Sequence, residues 1–109
     1  MIYRINISDQ ATSDLMGIYD YIFLCLKSPI NAKRLLDKIE SGIMGLKKMP
    51  NRFKGYNTEP WKSKGLHLMP IDNFCVFYIV NNEKAEVTVM RVMYGGRNID
   101  KHLERWTNN

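Results

Sequence analysis

The run Phe74-Cys75-Val76-Phe77-Tyr78-Ile79-Val80 is apolar on both faces, and it constrains the fold more tightly than any other stretch. A bilayer span takes ~18 such residues, so this run is too short to cross one. It reads as a central strand, covered on both sides. Two β-rich runs flank it. Leu66 to Ile71, with Pro70 near its end, precedes a turn at Asp72-Asn73. Glu86 to Tyr94 follows the turn Asn81-Asn82-Glu83-Lys84. Its alternation puts Val87, Val89, Arg91 and Met93 on one face, and Thr88, Met90, Val92 and Tyr94 on the other.

The first half has the helical period instead. Ala11, Leu15, Ile18, Ile22 and Cys25 recur at steps of three and four after a capping Ser8 or Asp9. Tyr19, Phe23 and Leu26 widen that stripe, which predicts a helix covered on two sides. Ser28-Pro29 restarts the chain as a cap and first helical residue. Ala32, Leu35, Leu36, Ile39, Ile43 and Leu46 then trace a second helix, ended by Pro50. Gly42 and Gly45 suggest close approach to the first helix. The short link makes the pair an antiparallel hairpin. A first strand at 2–7 adds at a sheet edge, and Arg97 to Trp106 forms a short last helix. The expected fold is α+β: a helical hairpin on a mostly antiparallel four-stranded sheet, in the order β-α-α-β-β-β, with a C-terminal helix. At 109 residues this is one domain, 1–109, and its core needs no cofactor.

Charge is concentrated. The net charge is +5, and residues 47–67 hold six basic residues against the single acid Glu59. The rest of the chain is balanced. Such a focus attracts nucleic acid or an acidic protein, or else is a solvated loop. Phe53, Tyr56 and Trp61 pin that loop down. The start lacks the layout of a signal peptide, which gives a cytoplasmic expectation and no membrane partner. Cys25 and Cys75 sit in apolar runs without further ligands, so they read as buried small hydrophobes and not as a metal site.

No phosphate loop, nucleophile elbow or metal motif is present. The candidate chemistry is cationic and aromatic: Arg52, Lys54, Lys62, Lys64 and His67 after the second helix, and Arg91, Tyr94 and Arg97 around the end of the last strand. Such groups bind phosphates. They can also cleave RNA without a metal, by deprotonating a 2′-hydroxyl and protonating the leaving oxygen. The alternative is structural, with Arg91 paired to a sheet carboxylate and Tyr94 in the core.

The element order resembles the RelE/ParE superfamily of type II toxin–antitoxin toxins. So do Ile5-Asn6-Ile7-Ser8-Asp9-Gln10-Ala11 leading into Asp14-Leu15 and Ile18-Tyr19-Asp20-Tyr21-Ile22, the helix exit Lys48-Met49-Pro50-Asn51-Arg52-Phe53, the strand Asn73 to Val80, and Val89-Met90-Arg91-Val92-Met93-Tyr94-Gly95-Gly96-Arg97-Asn98-Ile99. The resemblance implies a toxin neutralised by an acidic, partly disordered antitoxin that wraps the helical hairpin and folds as it binds. RelE-like members cut mRNA on the ribosome, whereas ParE-like members poison DNA gyrase. RelE-like nucleases carry a basic residue late in the second strand. Leu68, Met69 and Pro70 stand there in this chain, unless His67 substitutes. Tyr94 before Gly95-Gly96-Arg97 looks ParE-like, and no Tyr follows Arg97. The resemblance therefore implies a gyrase inhibitor. Its alternatives are a metal-independent ribosomal mRNA endonuclease using Arg91, Tyr94 and His67, or a degenerate toxin that only binds antitoxin.

Overall fold

Ser8 decides where the first helix starts. Its backbone is extended, and its Oγ accepts from the Ala11 N–H at 3.0 Å. The choice between Ser8 and Asp9 as cap is thereby resolved, and Asp9 sits in the positively polarised first turn. In the computed structural model, which describes residues 2–25, 27–51, 53, 55 and 59–94, the elements are β1 (Arg4–Ile7), α1 (Asp9–Asp20), α2 (Pro29–Gly45), β2 (Leu66–Ile71), β3 (Phe74–Asn81) and β4 (Glu86–Tyr94). The expected terminal helix, together with Arg52, Lys54, Tyr56 and Arg97, lies outside the described residues.

The helical stripe of α1 holds as far as Ile18 and then slips. Residues Tyr21–Cys25 form a π-helical turn. A π turn takes more residues than the 3.6 of an α turn, so steps of three and four no longer stay on one face. Ala11 is fully buried, and Leu15 and Ile18 pack on the core. Phe23 stacks on Tyr19 with ring centroids 5.4 Å apart, yet it stays exposed beside Tyr21 and Leu24. The second covered side expected for this helix is therefore open to solvent. Lys27, at φ 49°, breaks the chain before α2.

In α2 the core-facing residues are Ala32, Ile39 and Ile43, followed by Leu46 just past the end. The helix stops at Gly45, short of Pro50, in tight turns where Leu46 and Lys47 donate to the carbonyls three residues back. Gly42 matters for a different neighbour than expected. A Cβ there would lie 2.7 Å from Ile71 Cδ1 and 3.4 Å from Met69 Cε, so the close approach is to β2 and not to α1. A Cβ at Gly45 would meet nothing.

The sheet order is β1-β4-β3-β2, with β1 parallel to β4 and the other pairs antiparallel. The apolar run is central, as its two-faced pattern demands. Pro70 sits on β2, an edge strand, where a missing N–H does little harm. Asp72, at φ 52°, makes the left-handed turn into β3, a conformation Asp tolerates.

The alternation read for β4 breaks at a β-bulge. Phe77 pairs with Arg91 and Tyr78 with Val89, which leaves Met90 as the extra residue. Beyond the bulge the faces exchange. Val92 joins Val87 and Val89 under the helices, with Val76, Tyr78 and Ile39. Met93 packs on the opposite face, where Trp61, Leu66, Cys75 and Phe77 form a second cluster. Trp61 reaches that face from the basic loop, as the expected aromatic pin does, and Phe53 packs on the main core.

Candidate functional site

The clearest built site lies where β1 stops. Its last residue, Ile7, pairs with Val89, so Met90 to Tyr94 have no strand on that side. Side chains of the first helix take over the edge. Ser8 Oγ donates to the Met90 carbonyl at 2.9 Å. Asp14 Oδ2 accepts from the Val92 N–H at 3.0 Å. The same carboxylate takes Arg91 as a fork, Nε to Oδ2 at 2.8 Å and Nη2 to Oδ1 at 3.1 Å. Both side chains are mostly buried, at 20% and 13% exposure. The structural alternative for Arg91 thus has a partner, although the carboxylate comes from a helix and not from the sheet.

Asp14 is the site residue that reading the candidates alone left out. The signal was present. Asp14 falls three residues after Ala11 and four before Ile18, on the buried stripe, and a carboxylate there needs a partner.

His67 occupies a separate neighbourhood. Its Nδ1 lies 2.9 Å from the Phe53 carbonyl oxygen, and its ring stacks on Tyr78 at 5.2 Å. Tyr78 is fully buried and donates from its hydroxyl to the Pro50 carbonyl at 2.7 Å. Burial pushes its phenol up to about 12. Burial likewise raises the Cys75 thiol, which suits a packed and unreactive cysteine.

Tyr94 stands at the far end of the sheet. It meets Phe74 edge-on at 5.8 Å and is 63% exposed, so it is not core. His67 pairs with Tyr78 and Tyr94 with Phe74. Four residues of β3 separate those pairs, roughly 13 Å along the strand. Proton transfer needs contact at about 3 Å or one bridging water. His67 and Tyr94 are therefore separate arrangements, and Arg91 is held by Asp14. Tyr94 does share an open groove of about 640 Å³ with Asp14, Gly17, Ile18 and Val92.

Lys62 and Lys64 of the loop are presented to solvent. Glu59 accepts from the Ser63 hydroxyl and N–H and closes a turn, and Lys64 Nζ sits 5.3 Å from the Trp61 ring centroid. Lys62 and Lys64 flank this anchored ring and are both exposed. Among the described residues no cluster of His, Cys, Asp or Glu could hold a metal, and no helix is long and apolar enough to cross a membrane.

The hairpin carries an apolar patch on its outer surface. Leu15, Met16, Tyr19 and Leu36, with Asp20 at the side, line a groove of about 450 Å³, beside the exposed Phe23 and Leu24.

This architecture is that of known toxins. It matches the structure of a chromosomal ParDE toxin–antitoxin system from P. aeruginosa, with a TM-score of 0.70 at 20% identity over 87% of this chain and 98% of that one. It also matches a RelBE2 toxin–antitoxin complex from Mycobacterium tuberculosis (TM-score 0.64, 20% identity, 86% and 99% covered). A mutant of the E. coli toxin RelE in the free state gives 0.65 at 13% identity, with 99% and 98% covered. No curated protein matches by sequence. The chain thus has the fold of these toxins. Residues 5–99 match the family model of the ParE toxin of the type II toxin–antitoxin system parDE, and the chain belongs to that family.

Proposed function

We propose that this toxin acts by binding DNA gyrase and not by cutting RNA. The observation that carries the reading is the fork between Asp14 and Arg91. A nuclease of this chemistry needs its cations free to face a phosphate, and this guanidinium is already committed to a carboxylate and a strand edge. Two further features support it. His67 is turned to the Phe53 carbonyl, and late in the second strand stand Leu68, Met69 and Pro70, with no cation. In this reading the exposed Lys62 and Lys64 meet the target, and Arg52, Lys54 and Arg97 are further candidates for contacting it.

A cognate antitoxin holds the toxin inactive, seating an amphipathic segment in the apolar groove of the hairpin. Purified gyrase decides the target. Added toxin reduces supercoiling or traps cleaved DNA. Unchanged supercoiling, together with new transcript ends after induction, assigns the protein to the ribosome instead.

A further inference from the structure

A third groove is of mixed character. It lies between the first turns of α2 and the β2–β3 turn and holds about 580 Å³. Ile22, Leu35 and Phe74 line it with apolar surface, and its remaining walls carry charge and amides. One wall is self-satisfied, because Lys38 Nζ donates to Asp72 Oδ1 at 2.6 Å. Arg34 is different. It lies one turn before Lys38 on the same helical face, and among the described residues its guanidinium has no hydrogen bond or ion pair. The side chains of Asn31 and Asn73, which also line the groove, have no partner either.

We propose that this groove docks an extended acidic segment of the antitoxin, one carboxylate forked onto Arg34 and a neighbouring apolar side chain resting on Ile22, Leu35 and Phe74. The inference rests on the antitoxin reading above and adds a second anchor to it, apart from the apolar groove of the hairpin. The chemistry selects a peptide. One uncommitted guanidinium matches one carboxylate bidentately. Free amides offer both donors and acceptors to an extended backbone. A nucleic acid backbone would gain nothing from the apolar lining. A second copy of this chain, at +5, is repelled as well.

The test uses the full toxin and its cognate antitoxin, with affinity measured by titration. Arg34→Glu weakens binding about a hundredfold, and Arg34→Lys, which keeps charge but loses the fork, about tenfold. Lys84→Glu, the same charge change on a distant turn, alters it by no more than about twofold. Unchanged thermal unfolding of each variant shows that the fold is intact. Binding of Arg34→Glu within about threefold of wild type overturns the second anchor while leaving the antitoxin reading standing. A wild-type toxin that does not bind the antitoxin at all overturns the reading itself. Arg34→Glu that loses gyrase inhibition but keeps antitoxin affinity overturns the choice of occupant.

Discussion

Asp14 and Arg91, far apart in sequence, are locked together by two hydrogen bonds of 2.8 and 3.1 Å, and the same carboxylate ties down the Val92 N–H. One side chain therefore does three things. It pairs a mostly buried guanidinium, satisfies a strand edge that β1 is too short to reach, and fastens α1 to β4. Removing it leaves a desolvated cation and an unpaired N–H.

Asp14→Ala is accordingly expected to cost about 3 kcal/mol, and Arg91→Ala somewhat less, since Asp14 keeps Val92. The double variant should cost clearly less than the sum, with a coupling of about 1–2 kcal/mol. Urea unfolding of the four proteins checks this. Additive losses would mean that the fork contributes nothing of its own. Arg91→Lys should recover only part of the loss, because an ammonium cannot make the fork.

The two glycines of α2 should separate under substitution. Gly45→Ala removes a flexible residue at an open position and should stabilise by a few tenths of a kcal/mol up to about 1. Gly42→Ala gains the same propensity but pushes its Cβ to 2.7 Å from Ile71 Cδ1, a buried methyl. The methyl end can turn aside, so the net effect should be near zero. Gly42→Leu cannot be accommodated that way and should cost roughly 2 kcal/mol or more. Equal melting temperatures for Gly42→Leu and wild type would remove the close contact between α2 and β2.

The strands were legible because their signals are local. The two-faced run at Phe74 names the central strand, and Asp72-Asn73 names the turn before it. The bulge at Met90 was not legible, because an extra residue leaves the apolar count of β4 unchanged and only its pairing with β3 reveals it. The face assigned to Arg91 and Met93 failed for that reason. The π turn was not legible either: Ile22, Phe23 and Cys25 fit a helical stripe by spacing, and only the wider turn shifts Phe23 off it into solvent. At the site, chemistry-bearing types could be picked out but their partners could not. Nothing within a few residues of Arg91 announces Asp14, and nothing near Arg34 announces that it stays unpaired among the described residues.

Trp61 should prove to be the hinge between stability and function in the basic loop. Its indole is 8% exposed and roofs the cluster of Leu66, Cys75 and Phe77, so Trp61→Ala should cost about 3–5 kcal/mol. Lys64 above the ring contributes only about 0.5–1 kcal/mol. Lys62→Ala with Lys64→Ala should therefore fold nearly as well as wild type, while losing growth inhibition if these lysines face the target. A folded double variant with undiminished toxicity would take the loop out of the target interface.

Tyr78 makes the stability of this fold sensitive to alkali. Its hydroxyl is buried, donates to the Pro50 carbonyl at 2.7 Å, and keeps its proton up to about 12, against an ordinary value of 10.0. Between those values the unfolded chain releases the proton and the native one retains it, so the unfolded state gains on the folded one as pH rises. The stabilisation is complete below pH 10 and falls away above it, by roughly 1–1.5 kcal/mol at pH 11 and about 2–3 by pH 12. Tyr78→Phe loses the bond to Pro50, about 1 kcal/mol at pH 8, but escapes this titration. Wild type should be the more stable protein at pH 8, and the two should become equal near pH 11. Urea midpoints at both values decide it. A gap between the two proteins that is the same at pH 8 and pH 11 would mean that the Tyr78 phenol titrates as it does in water, and the lid that Pro50 and His67 form over it would have to be open.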